Sequence, residues 1–162
     1  MPVFAEGSGK QAYKVGVGLR SHAELSDDPA FNKVLYDDQA VSYGVAYEYQ
    51  DGPSYWQLAL DYCSGDFAGA DAAVDYTVTP QLNLMAADSF WRGGIGVMST
   101  YKSRDVESDW TSIYWQFIAG VSIPLGRVEI DILAFYPFSG WDRLGKFDTS
   151  DIDYGGWLKF SF

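Results

Sequence analysis

Three residues carry the types that acid–base and nucleophilic chemistry needs: His22, Asp61 and Ser64. His22 is the only histidine in the 162-residue chain. Histidine titrates near neutrality without perturbation, so it is the natural general base. Ser64 offers a hydroxyl as nucleophile or proton donor, and Asp61 a carboxylate to orient the imidazole. Asp66 is an alternative acid, and Cys63 and Ser139, beside Gly140, are alternative nucleophiles. A histidine with no catalytic task fits the sequence equally well. No metal or other cofactor is expected.

The elements that must position these residues show a period of two, the signature of β-strands. In residues 14–22, Val15, Val17 and Leu19 alternate with Gly16, Gly18, Arg20 and His22. The same alternation predicts strands over residues 40–50, 55–64, 73–86, 90–103, 110–123, 127–137 and 151–162. Pro80 removes a ladder donor, so a bulge or weakened pairing is expected there. Connections alternate long and short: 23–38, Asp51-Gly52-Pro53, 65–71, 87–89, 104–109, Pro124-Leu125-Gly126 and 138–150. No stretch has helical periodicity. The fold class is therefore all-β, an eight-stranded antiparallel up-and-down transmembrane β-barrel. It is expected as one domain over residues 1–162, with 1–9 an N-terminal tail that resembles the end of a secretory signal.

The second phase decides which face is outside. It mixes Lys14, Arg20, Glu48, Asp61, Asp75, Arg92, Glu129, Asp131 and Lys159 with glycine, alanine and small polar residues. Charges that nearly balance among small residues suit a narrow barrel interior, where ions must be paired and space is short. The bulky apolar phase then faces lipid, with aromatics at the strand ends as interfacial girdles. Composition agrees: aromatics are 17% and glycines number 17. The net charge is −11, with acid clustered at 27–28 and 37–38, 105–109 and 148–153, and no basic run exists for nucleic acid. The clusters suit a solvated surface. A lone cysteine excludes an internal disulfide, and no apolar run is long enough for a transmembrane helix.

Long loops follow the first, third, fifth and seventh strands, so those strands end at the outer mouth. One half of that mouth is polar: Arg20, His22, Ser42, Asp61, Cys63, Asp75 and Thr77. The other half is apolar: Met98, Tyr114, Leu133, Phe135 and Gly155. Such a mouth suits an acyl chain, held by Met98, Tyr114, Leu133 and Phe135, beside a general base. Lys14, Glu48, Arg92, Glu129, Asp131 and Lys159 gather at the base as a structural ion-paired plug.

Several short stretches resemble the lipid A palmitoyltransferase (PagP) family of outer-membrane barrels. They are His22-Ala23 followed by Tyr36, Ala87-Asp88 with Phe90, Gly94-Ile95-Gly96, Tyr136-Pro137, and the last strand from Tyr154 to Phe162. The resemblance implies a bacterial outer-membrane acyltransferase that moves a palmitoyl-type chain from a phospholipid to lipid A in lipopolysaccharide. His22 and Ser64 match the family histidine and serine, and Pro137 matches a lateral gate. Asp61 and Ser64 are separated by two residues, where the family has an adjacent Asp-Ser pair. The competing expectation is a non-enzymatic barrel that binds lipopolysaccharide, acts as an adhesin or is structural. Either is expected to be a monomer among membrane lipids, with no nucleic acid partner.

Overall fold

The computed structural model describes residues 12–23, 36, 39–65 and 74–162. The expected 1–9 tail, Asp66 and the acidic pairs at 27–28 and 37–38 lie outside them. Ten strands run in chain order: β1 Ala12–Ser21, β2 Val41–Asp51, β3 Ser54–Ser64, β4 Val74–Asp88, β5 Trp91–Met98, β6 Tyr101–Arg104, β7 Asp109–Trp110, β8 Tyr114–Leu125, β9 Val128–Phe138 and β10 Asp153–Ser161. Every pairing is antiparallel, β1 pairs with both β2 and β10, and the β3–β4 pairing closes the sheet. β6 continues β5, and β7 precedes β8 along one line, so the ten segments make eight staves of a closed barrel.

Two staves predicted as continuous are broken at one level. β5 stops at Met98 and β6 starts at Tyr101, while β7 stops at Trp110 and β8 starts at Tyr114. Across this gap Thr111 N–H donates to the Thr100 carbonyl at 2.8 Å, and Thr100 N–H donates to Thr111 Oγ1 at 2.9 Å. One backbone bond and one threonine hydroxyl here stand in for the ladder. Pro80 sits opposite the same gap: β4 pairs β6 up to Val78–Tyr101 and β5 from Gln81–Met98, with nothing paired between. The pairing is thus weakened on that side of Pro80, while Leu60 pairs Pro80 in unbroken register on the other. The bulge lies elsewhere, between Val74 and Tyr76. It turns Val74 inward and leaves Asp75 exposed, contrary to the inward placement that strict alternation gives Asp75.

The barrel is inverted relative to a water-soluble one. Val17, Leu84 and Tyr43 are more than half exposed on the outside, while Lys159, Asp131 and Glu48 are buried inside. Over the middle of the wall the outward positions carry no charge: Val15, Val17 and Leu19 on β1, Leu58 and Leu60 on β3, Leu82 and Leu84 on β4, and Leu158 on β10. Burying an ion costs several kcal/mol unless it is paired, so a surface free of ions around a core full of them faces hydrocarbon. Closure also leaves no strand edge unpaired in lipid.

Tight turns close the base. Gly52 and Gly126 take φ of +66° and +75°, a left-handed conformation that side chains with a Cβ rarely adopt. Inside, Trp157 spans the lumen against Gly18 and Gly44, where an added Cβ would lie 2.6 Å from its ring. The alternation of glycine with larger residues on β1 and β2 therefore makes room for this indole. Beyond β9 the segment predicted as a loop contains two short 3-10 turns, Trp141–Lys146 and Thr149–Asp151.

Candidate functional site

The mouth is organised by Asp153, the first inward residue of β10. Its Oδ2 accepts from Arg20 Nε at 2.8 Å and lies 3.0 Å from His22 Nδ1. Its Oδ1 accepts from the Ala23 N–H at 2.7 Å. One buried carboxylate therefore fixes the end of β1 and the start of the loop that follows. His22 Nε2 lies 3.0 Å from Ser42 Oγ, and the Tyr36 ring stacks on the imidazole at 3.7 Å between centroids and 9° between planes. Both ring nitrogens are engaged and one face of the ring is covered, so His22 is held rather than free to move toward a substrate.

The structure does not bring the three sequence candidates together. Asp61 is buried on β3, where Gln81 Nε2 donates to its Oδ2 at 2.5 Å. Ser64, at the end of the same strand, lies in the outward phase and is exposed. The hydroxyl beside His22 is that of Ser42, and the carboxylate beside it that of Asp153. Cys63 is buried and in no disulfide, and Ser139 stands in the connection beyond β9.

The four residues expected to hold an acyl chain do point inward, but other side chains fill the space between them. Met98 and Tyr114 pack with Tyr36, Ala40, Cys63 and Val74. Leu133 and Phe135 pack with Ile118, Met85 and Trp157, and the Arg20 guanidinium lies 4.3 Å from the centre of the Phe135 ring. The space left among Arg20, His22, Tyr36, Asp61 and Tyr114 is about 10 Å³, room for a single water. Pro137 borders this space, but the β8–β9 ladder runs unbroken from Leu125–Val128 to Trp115–Phe138. Pro137 is thus paired to Gln116 of β8, while the β9–β10 ladder ends below it at Phe135–Asp153.

From the mouth a chain of polar side chains continues down the lumen. Arg20 Nη1 donates to Gln116 Oε1 at 2.9 Å, and Gln116 Nε2 donates to Gln81 at 2.9 Å and to Asn83 at 3.0 Å. Asn83 donates to Gln57 at 2.8 Å, and Gln57 to Glu48 at 2.6 Å. Glu48 and Asp131 both pair with Lys159. Beside this triad stands its opposite, Glu129 held by Lys14 at 2.9 Å and by Arg92 at 3.2 Å. These six residues are the base plug expected from the sequence, and each makes at least one ion pair inside the set.

No protein-family model matches the chain, and no curated protein matches it. Among solved structures, Neisserial surface protein A (NspA) overlays with a TM-score of 0.56 at 11% identity, covering 94% of this chain and 97% of that one. Ail, the attachment invasion locus protein of Yersinia pestis, overlays with a TM-score of 0.42 at 14% identity, covering 95% and 99%. The overlay with NspA corrects the resemblance to the palmitoyltransferase family. Two of the stretches that carried it, a Gly-x-Gly strand and an aromatic last strand, are general features of such barrels. The family histidine and serine, mapped to His22 and Ser64, are not in contact here. With its apolar belt, closed wall and charged core, the chain has the fold and the setting of a bacterial eight-stranded outer-membrane β-barrel.

Proposed function

We propose that this chain is a non-enzymatic, non-conducting outer-membrane barrel, one domain and monomeric, that acts through its outer loops on ligands at the cell surface. The observation that carries this reading is the filled lumen. A hydrogen-bonded chain runs from His22 to Lys159, and the space beside His22 at the mouth is about 10 Å³. A narrow eight-stranded barrel packed this way offers neither a pore nor a pocket for an acyl chain. Chemistry needs a reacting atom placed about 3 Å from nucleophile and base, and the space beside His22 has room for about one water.

The loops supply the acting surface. Asp105, Glu107 and Asp109 follow β6, and Asp148 and Asp151 follow β9, all at the outer mouth. That concentration of acid favours a partner with a basic patch, such as a host or neighbouring-cell surface protein, over a sulfated polyanion.

The test has two arms. Folded protein in planar bilayers is expected to give no current above the lipid baseline. Expressed in a Gram-negative host lacking outer-membrane acyltransferases, it is expected to leave the mass of lipid A unchanged. Discrete channel openings, or an acyl-sized mass gain abolished by His22→Ala, would overturn the reading.

A further inference from the structure

The outward phase of β9 runs Ile130, Ile132, Ala134, Tyr136 and Phe138. By position all five face lipid, and Ile132 is 57% exposed. Phe138 is only 1% exposed and Tyr136 8%. Their cover is the chain that follows. After Phe138 the backbone turns back along the outside of the wall instead of rising into water. Trp141, in the first 3-10 turn, meets the Phe138 ring edge-on at 5.5 Å and lies 5.6 Å from Trp115. Phe147, just past that turn, lies 4.7 Å from Tyr136. Phe117 completes the cluster, 4.9 Å from Phe138.

This folding back buries two aromatic rings and presents two others. Trp141 is 55% exposed and Phe147 57%. The patch adjoins the apolar belt: Phe117 and Tyr136 are cross-strand partners whose columns continue through Ala119 and Ala134 to Val121 and Ile132. Its level is the outer rim, since Trp115–Phe138 is the pair of the β8–β9 ladder nearest the mouth. Aromatic rings with one apolar side and one polar edge are favoured where hydrocarbon meets headgroups.

We propose that residues 141–147 form a lateral membrane foot. The segment lies in the headgroup–hydrocarbon boundary of the outer leaflet, with Trp141 and Phe147 packed against bilayer lipid. The occupant of this face is lipid because the face is continuous with a surface that lipid already covers. The foot commits one of the mouth loops to the membrane, and it stands whether or not the acidic loops bind a partner.

The loop after β6 supplies the reference. Val106 is 98% exposed there, between Asp105 and Glu107, and this loop extends into water. In a Cys63→Ser background, nitroxide labels are placed at Phe147→Cys, at Trp141→Cys and at Val106→Cys. Folding of each variant is checked by its gel shift on heating. Collision with oxygen and with a nickel chelate is then read in phosphatidylcholine vesicles. The labels at 147 and 141 are expected to be several-fold more accessible to oxygen than to nickel, and the label at 106 the reverse. Two sites keep the test alive if one variant fails to fold. Nickel access at 147 and 141 equal to that at 106 would overturn the foot. So would shielding from both reagents: if it vanishes on dilution into excess lipid, a second copy covers the face, and if it persists, the chain itself does.

Discussion

The two ends of the lumen solve the same problem in different ways. At the base, six ions form two complementary triads, Glu48–Lys159–Asp131 and Lys14–Glu129–Arg92, in which the central residue of each carries the sign its neighbours lack. At the mouth a single carboxylate, Asp153, gathers Arg20, His22 and the Ala23 N–H, while Asp61 is served by the amide of Gln81. The base is an electrostatic lock with no role for loops. The mouth ties the wall to the chain leaving it. The contrast teaches that the histidine, the residue most suggestive of chemistry, belongs to a latch on a loop.

The largest effect is expected at the base. Lys159→Met removes the cation between Glu48 and Asp131 and leaves two buried carboxylates facing each other. Breaking a buried ion pair this way costs about 3–5 kcal/mol. Urea unfolding in detergent micelles, followed by the gel shift on heating, is expected to show a loss of that size. A loss under about 1 kcal/mol, the value of exposed pairs, would show that the base is hydrated and that the lock is not dry.

Next comes the joint between the two ends. Gln116 links Arg20 above to Gln81 and Asn83 below. Gln116→Leu conserves much of the volume and removes these bonds, leaving buried polar groups without a partner, each worth about 1–3 kcal/mol. If the mouth and base are coupled through this residue, combining Gln116→Leu with Asp153→Asn costs less than the sum of the two. Strict additivity would separate the ends into independent networks.

The latch itself is expected to be weaker. Asp153→Asn keeps the shape but weakens the charge-assisted bonds to Arg20 and His22, a loss of about 1.5–3 kcal/mol. Its distinguishing consequence is local: amide hydrogen exchange at Ala23 and Gln39 should rise while the base strands stay protected. Ala23 loses its carboxylate acceptor, and Gln39 N–H bonds to the His22 carbonyl at 2.9 Å. Uniform loss of protection along all strands would place Asp153 in the global core instead of in a latch.

The staves and their inside and outside faces were legible because a period of two over eight segments survives without any knowledge of partners. The base plug was legible for the same reason: inward phase plus balanced charge sufficed. The mouth was not, because its geometry depends on register and on one bulge. Asp153 follows Asp148 and Asp151 in sequence and looks like one more solvated acid. Only the pairing of Arg20 with Gly155 and Ser21 with Tyr154 brings its carboxylate beside Arg20 and His22. Asp75 looked inward until the bulge after Val74 reversed its phase. Asp61 and Ser64, three positions apart, point to opposite faces of β3, a parity that the sequence itself shows and that decides against their acting together. The folding back of residues 141–147 had a faint signal: aromatics at Trp141 and Phe147 in a segment otherwise polar enough to be a loop.

The smallest effect separates the exposed edge of the mouth from everything beneath it. Asp148 is fully exposed, and its Oδ1 accepts from the Ser150 N–H at 2.9 Å to cap the turn Thr149–Asp151. The Ser150 N–H, then its hydroxyl, hold the Asp148 carboxyl below the usual carboxylate range. A carboxyl whose pKa is lowered on folding contributes its stabilisation fully above the usual carboxylate range, and loses it as pH falls through the lowered value. Acidification is therefore expected to loosen this turn while leaving the gel shift on heating unchanged. A nitroxide at Thr149→Cys, in the Cys63→Ser background, should sharpen its spectrum over that acidic range. In Asp148→Ala the spectrum should already be sharp at neutral pH and change little on acidification. A spectrum in the parent that ignores pH, or one that sharpens equally in Asp148→Ala, would move the control of this edge away from the cap and toward the lipid contacts of Phe147, one residue before it.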